Sequence, residues 1–302
     1  MAARGTNFRG RDSFVTSDIQ DQERYEIDPD DGLKRAVVGA WVHDKHLRLR
    51  SYVDITRSVR GKYVNRAGAT YIELFSGPGR ACIKGTKEVA DGSPLVAWNE
   101  SVAGKCPFTE VHVCDADSDL LHAAVSRLRH KGAPVFPELG PAHETIDRVI
   151  SKLNPAALHF AFLDPFNLGA MSFELLRKLT AFRRMDILVH VSAMDLQMNL
   201  QSYIDRRESP LDSFAPGWRD NVDVRRSPKL VRMKILEHWR KLLHDAGMQT
   251  TRTDELELIA GTKNQRLYWL AFAAHHDRAL EFWGKIRAAG ESRQPDLFSQ
   301  PE

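Results

Sequence analysis

The sequence predicts an α/β fold: a mostly parallel seven-stranded sheet with helices on both faces and a terminal antiparallel hairpin. Three observations carry this reading. Short, nearly continuous apolar runs at Thr70–Phe75, Glu110–Cys114, Pro134–Phe136, Leu158–Leu163 and Met185–Ser192 read as strands buried on both faces. Helical stretches near Leu95–Ala103, Asp119–His130, His143–Leu153 and Phe173–Phe182 separate them, the alternation that builds a parallel sheet. Finally, Gln249–Ile259 and Leu267–Ala274 flank the short polar loop Ala260–Gln265, which suits an antiparallel hairpin.

The flanking segments follow in chain order. Residues 1–31 lack periodicity, and Ser17–Asp31 holds seven acids against one arginine, so a disordered tail is expected there. From Leu33 to about Tyr63, Val38, Val42, Lys45, Leu49, Tyr52, Thr56 and Val59 recur at helical spacing and predict one long helix. Lys45 falls on that apolar stripe, where its stem is expected along the core edge and its amine in water. After Ser192 a polar, basic insertion over residues 204–228, with Pro210, Pro216 and Pro228, leads into a helix at Lys229–Ala246. A last helix, Ala279–Ala289, precedes a tail over 290–302. Residues 32–289 thus form one domain, with the layout of a Rossmann-like class I methyltransferase fold.

Composition narrows the class. With 302 residues, 42% hydrophobic and 27% charged, the chain is neither disordered nor fibrous. No apolar stretch approaches the ~18 residues of a membrane span, and the opening residues have no hydrophobic core of a secretory signal, so a cytoplasmic location is expected. Cys82, Cys106 and Cys114 form no CxxC pair, which supports neither a disulfide framework nor a metal site. The net charge of +3 is too small to imply nucleic acid by itself. Its distribution says more: Arg225–Lys234 holds five basic residues and no acid. Arg225, Arg226 and Lys229 there are candidates for tracking phosphates, with a solvated face as the alternative.

The chemistry is expected at the strand ends. The first strand runs into Glu73-Leu-Phe75-Ser-Gly77-Pro78-Gly79, whose glycines let the backbone turn sharply and approach a ligand closely. No third glycine or phosphate-cradling lysine follows, which disfavours a nicotinamide or nucleoside triphosphate site. Glu73 suits a cationic amino group such as that of S-adenosylmethionine. The second strand ends in Asp115-Ala-Asp117: Asp115 is assigned to ribose hydroxyls, and Asp117 or Ser118 to capping the next helix. Glu138 is a weaker candidate for the adenine amine, with a solvent-facing loop acid as the alternative. The fourth strand ends in Asp164-Pro165-Phe166. Asp164 and the Pro165 carbonyl suit hydrogen bonds to an exocyclic amine whose lone pair is delocalised into a base, and Phe166 suits stacking on it. The alternative is a strand-end acid capping the next helix.

These residues resemble the three-Cys-motif partner protein family, whose members carry D/E-x-F-A-G-P-G, G-S-P-L and L-D-P-F-G in that order. The counterparts are Glu73–Gly79, Gly92-Ser-Pro-Leu95 and Leu163-Asp-Pro-Phe-Asn167, with Ser76 and Asn167 as the departures. Less specific likeness extends to the helix bearing Trp41 and Lys45 and to Tyr268–Trp283, so it spans about Leu33 to Ala289. The resemblance implies an S-adenosylmethionine-dependent methyltransferase-like fold and a radical-SAM-like companion bearing a three-cysteine motif. The single-proline D-P-F form is also similar to that of tRNA guanine-N2 methyltransferases. The expected function is therefore N-methylation of an exocyclic amine in nucleic acid. The alternative is a cofactor-binding, non-catalytic partner of the companion. Gln294-Pro-Asp-Leu297-Phe298 looks like the short peptide that docks on the bacterial sliding clamp, with Leu297 and Phe298 as anchors.

Overall fold

The computed structural model describes residues 24–260 and 266–291. The chain opens with β1 (Tyr25–Ile27) and β2 (Lys34–Val38), then α1 (Val42–Ile55), α2 (Arg57–Val64) and β3 (Ala69–Glu73). A hairpin of β4 (Arg80–Ile83) and β5 (Val89–Asp91) precedes α3 (Ser93–Ala103). Next come β6 (Glu110–Asp115), α4 (Ser118–His130), β7 (Val135–Leu139), α5 (Ala142–Ile150) and β8 (Leu158–Leu163). They are followed by α6 (Phe173–Thr180), β9 (Met185–Ser192), α7 (Ala193–Asp205), α8 (Pro210–Phe214), α9 (Trp218–Asn221) and α10 (Pro228–Asp245). The described chain closes with β10 (Gln249–Thr250), β11 (Glu257–Ala260), β12 (Arg266–Ala274) and α11 (Asp277–Glu291).

The main sheet runs β10-β12-β9-β8-β3-β6-β7, with β11 also paired to β12. The five adjacent strands β9, β8, β3, β6 and β7 are parallel and β12 runs antiparallel to β9. Alternation along the central strands fills both faces. Phe160, Phe162 and Leu188 join one core with Leu49, Tyr52 and Trp283, while Ala161, Leu163, Ile187 and Val189 join the other with Ile146, Leu176 and Trp239. That two-sided burial explains the unbroken apolar runs in the sequence. Strand order reverses between β3 and β8, the switch point beyond whose carboxyl ends open α/β sheets bind ligands.

Four expectations are corrected. Among the described residues the sheet has eight strands rather than seven, because Gln249–Ile259 divides into β10 and β11 around a turn at Thr253–Glu255; both pair antiparallel with β12. The expected tail cannot extend to residue 31, since β1 pairs with β2 there; its residues 1–23 lie outside the described residues. The long helix from Leu33 is in fact a strand and two helices. Lys34–Val38 pairs in parallel with β4, a partner that local periodicity cannot reveal. The helical part breaks at Thr56, whose hydroxyl donates to the Tyr52 carbonyl at 2.7 Å, a back-bond that bends helices. Lastly, the strand expected over Pro134–Phe136 and buried on both faces runs over Val135–Leu139 with Phe136 and Leu139 exposed, because it is the sheet's edge. Within the basic insertion, Leu211, Phe214 and Trp218 from α8 and α9 are fully buried in the core. The second sheet, β1-β2-β4-β5, was not expected. No described helix is long and apolar enough to cross a membrane. Leu297 and Phe298 lie outside the described residues.

Candidate active site

The turn after β3 is fixed by contacts that explain both glycine motifs. Gly77 and Gly79 have φ of +56° and +75°, a left-handed backbone that favours glycine. A Cβ on Gly79 would lie 2.7 Å from Leu95 Cδ1 and 3.2 Å from Ala124 Cα. A Cβ on Gly92 would lie 2.7 Å from the Gly79 carbonyl carbon, and the Gly92 N–H donates to Gly79 O at 2.8 Å. The G-P-G and G-S-P-L elements are therefore one structure, with the β4–β5 hairpin extruded between them. At Gly77 a Cβ would meet nothing within 4 Å, so that side of the turn stays open.

Asp115 stitches this turn to β6. Its Oδ2 accepts from the Gly77 N–H at 2.8 Å and its Oδ1 from the Asp117 N–H at 3.0 Å. Asp117 caps α4 by accepting from the N–H groups of Asp119 and Leu120, at 2.7 and 3.1 Å, which fulfils the capping role expected of a neighbour. Arg127 ties the turn to the small sheet by donating to Pro78 O at 2.7 Å and Lys34 O at 2.8 Å.

Glu73 departs from its expected role. It is fully buried, accepts from the Tyr71 hydroxyl at 2.6 Å and from the Ser93 hydroxyl, and is not among the cavity-lining residues. It presents no carboxylate to a cationic amine. Burial, opposed by the Ser93 and Tyr71 hydroxyls, pushes its pKa up to about 8. The folded chain thus keeps a proton that the unfolded chain releases above its ordinary value of 4.5. Stability attributable to this group should fall as pH rises from about 4.5 to about 8, by up to ~1.4 kcal/mol per pH unit, and level off above. Urea unfolding of wild type and Glu73→Gln at pH 5 and pH 8 measures it: the variant should gain on wild type at the higher pH. A stability difference independent of pH would show that Glu73 is ionised in the fold.

The end of β8 holds the densest chemistry. Asp164 Oδ2 accepts from Lys45 Nζ at 2.6 Å, and Asp164 Oδ1 pairs with His190 Nδ1 at 2.5 Å. Lys45 comes from α1 and His190 from β9, so three elements converge on one carboxylate. Burial would raise the Asp164 pKa, but His190 and Lys45 outweigh it and hold the carboxyl well below the usual carboxylate range. Burial drives the His190 ring toward its neutral form, against the pull of Asp164. The expectation that the Lys45 amine reaches water is corrected: the residue is 7% exposed, and the amine also lies 5.3 Å from the Trp41 ring centroid. Nor is Asp164 a cap of the following helix. Asn167 caps the next turn by accepting from the Ala170 N–H at 3.0 Å, and Ser172 caps α6. Phe166 is 70% exposed, with the Arg24 guanidinium 5.6 Å from its ring centroid.

A cavity of about 640 Å³ joins these parts. Among its lining residues are Phe75, Gly77, Pro78, Gly79 and Asp115 from the expected cofactor set, and Asp164, Pro165 and Phe166 from the expected catalytic set. Only Glu73 of the nine lies behind the wall. Glu138 is elsewhere, paired with Arg148 at 2.8 Å and with Lys152, neither lining the cavity nor facing solvent. Arg225, Arg226 and Lys229 do not line it, and the first two pair with Asp223 at 2.9 and 3.3 Å. Among the described residues no cluster could hold a metal ion. Sequence reasoning missed His190, which stands inside an apolar strand. The charged Lys45 on an apolar stripe was the available signal that a carboxylate faces it.

No protein-family model matches the chain, and no curated protein does. The resemblance to three-Cys-motif partner proteins is thus carried by the motifs alone. Solved structures with a similar course include the Legionella pneumophila protein LPL1258, at 9% identity over 82% of this chain and 90% of that one, with a TM-score of 0.49. An O-methyltransferase from Bacillus cereus, solved with SAH, matches at 9% identity over 86% and 88%, with a TM-score of 0.43. The O-methyltransferase TomG of Streptomyces achromogenes, solved with SAM, matches at 12% identity over 74% and 78%, with a TM-score of 0.42.

Proposed function

We propose that this chain is an S-adenosylmethionine-dependent methyltransferase of the class I fold, and that its acceptor is an exocyclic amine of a nucleobase. One observation carries the reading: a single cavity at the sheet's switch point is lined by the glycine turn, Asp115 and Asp164–Phe166 together. Its size suits a small-molecule ligand, and the open side of Gly77 beside the Asp115 carboxylate fits a ribose and its flanking chain. Phe75, Gly77, Pro78, Gly79 and Asp115 would hold the cofactor, which supplies an electrophilic methyl group on a sulfonium. Pro165 and the Asp164 carboxylate would orient the acceptor nitrogen. Phe166, exposed at the rim under a guanidinium, supports a flat aromatic acceptor, since aromatic and arginine faces both stack on bases.

Calorimetry with S-adenosylmethionine, followed by transfer of labelled methyl to bulk DNA and RNA, tests the proposal. Binding should be weakened by about 1–3 kcal/mol in Asp115→Ala, the loss of hydrogen bonds to a charged group. No binding by wild-type protein with an intact circular dichroism spectrum would overturn the cofactor assignment. Binding without transfer, with or without a three-cysteine-motif companion, would instead favour the non-catalytic partner.

A further inference from the structure

We infer that His190 takes the proton that the acceptor loses on methylation, oriented by Asp164, which Lys45 in turn holds in place. This inference rests on the function proposed above and names a residue which that reading does not use. His190 lines the cavity, is 2% exposed, and its Nε2 is buried without a hydrogen-bond partner. Among the described residues His112, His159 and His190 each bury an unpaired ring nitrogen, and of the three His190 alone lines the cavity, so its Nε2 marks a position that a ligand group completes. The other ring nitrogen is committed, because Nδ1 lies 2.5 Å from Asp164 Oδ1. An ionised carboxylate can only accept, which makes Nδ1 the donor and leaves the Nε2 lone pair as the acceptor.

The ring cannot easily turn away from this arrangement. It stacks on Tyr268, with centroids 4.4 Å apart and planes 12° apart, and Phe162 meets it edge-on at 5.1 Å. The groups facing it are few: Lys45 and His46 from α1, Asp164 from the end of β8, and Tyr268 from β12. Lys45 opposes a second positive charge nearby and keeps the resting ring neutral, while Asp164 stabilises the imidazolium once it forms. His46 is held neutral by its own burial and by Lys45.

The step balances. The acceptor nitrogen's lone pair forms the new bond to carbon, and the electron pair of the broken carbon–sulfur bond stays on sulfur. One N–H bond of the acceptor breaks, its pair returns to nitrogen, and its proton passes to His190 Nε2. Product release then lets the imidazolium give that proton to water.

Two measurements test the inference. In protein with nitrogen-15-labelled histidine, the resonances lost in His190→Gln should show Nδ1 protonated and Nε2 bare at pH 7. The reverse tautomer, or a charged ring, overturns the inference whether or not any methyl transfer is found. In the transfer assay, His190→Ala should bind S-adenosylmethionine as wild type does and lose 10²–10⁴-fold in rate, the usual worth of a general base. Added imidazole should restore part of that rate, in proportion to its unprotonated fraction. A variant that transfers at the wild-type rate, or a loss that imidazole leaves unchanged in a variant that folds and binds cofactor, overturns it. Absence of transfer by wild type would instead strike the proposed function, and the tautomer measurement would still decide the placement of the proton.

Discussion

Asp164→Ala is expected to lower the stability of the fold by about 3–5 kcal/mol, because it strands the buried Lys45 ammonium without its counter-charge. The neighbouring His190 would lose the acceptor for its Nδ1 proton at the same time. Lys45→Met with Asp164→Ala should recover most of that stability, since removing both charges removes the desolvation penalty along with the attraction. Methyl transfer should stay lost in the double variant. Urea unfolding of the two single variants and the pair, with transfer assays on each, separates the two roles of one carboxylate. Single losses that simply add in the pair would mean that the ammonium and carboxylate do not interact. The pH dependence has a definite sign. A carboxyl held below its ordinary value stabilises the fold above about pH 4, and this contribution is lost as pH falls toward the folded value. Wild type should therefore lose its advantage over Asp164→Ala in acid.

The second large effect is expected at Gly92, which also lines the cavity. Gly92→Ala would drive a methyl group to 2.7 Å from the Gly79 carbonyl carbon, backbone against backbone, with no side chain free to move aside. A cost of about 1–3 kcal/mol, the ordinary range for overpacking, sets the lower end of the expectation. The displaced Gly79 should also remove detectable S-adenosylmethionine binding. Gly77→Ala makes the comparison sharp. Its methyl meets nothing within 4 Å, so it pays only the left-handed backbone penalty of about 1–2 kcal/mol. Thermal unfolding and calorimetry on both variants measure this, and equal effects at the two positions would contradict the packed-turn account.

Much of this was legible in the amino-acid string. Four of the five parallel strands stand out because burial on both faces writes them as apolar runs, and Met185–Ser192 and Leu158–Leu163 match their observed bounds. The same burial hid His190, since a single histidine in such a run looks like any satisfied core polar group. The small sheet was illegible for another reason. Lys34–Val38 is short and half-buried, and its partner Arg80–Ile83 lies across two helices and a strand. Parallel pairing over that separation leaves no local period, and the apolar residues of the first helix extended their stripe backward through Val38. Glu73 was misread because position shows that an acid ends a strand, but not whether it faces the cavity or Tyr71 and Ser93 beneath it.

The small sheet has a consequence for how the binding cleft responds to its medium. The segment carrying Ala36–Gly39 forms one side of the cavity, yet β1 and β2 contribute no residue to either apolar core. Besides the ladder from β2 to β4, a knot of charge ties that side down: Arg35, Arg80 and Arg127 gather around Asp28, Asp30 and Asp31. Asp28 is fully buried, but Asp30 stands 62% exposed, where dissolved ions reach it. Mobile ions compete with such contacts and leave apolar packing nearly untouched. Raised ionic strength is therefore expected to weaken the Arg80–Asp30 contact first, while the contacts of buried Asp28 and the sheet beneath are largely shielded.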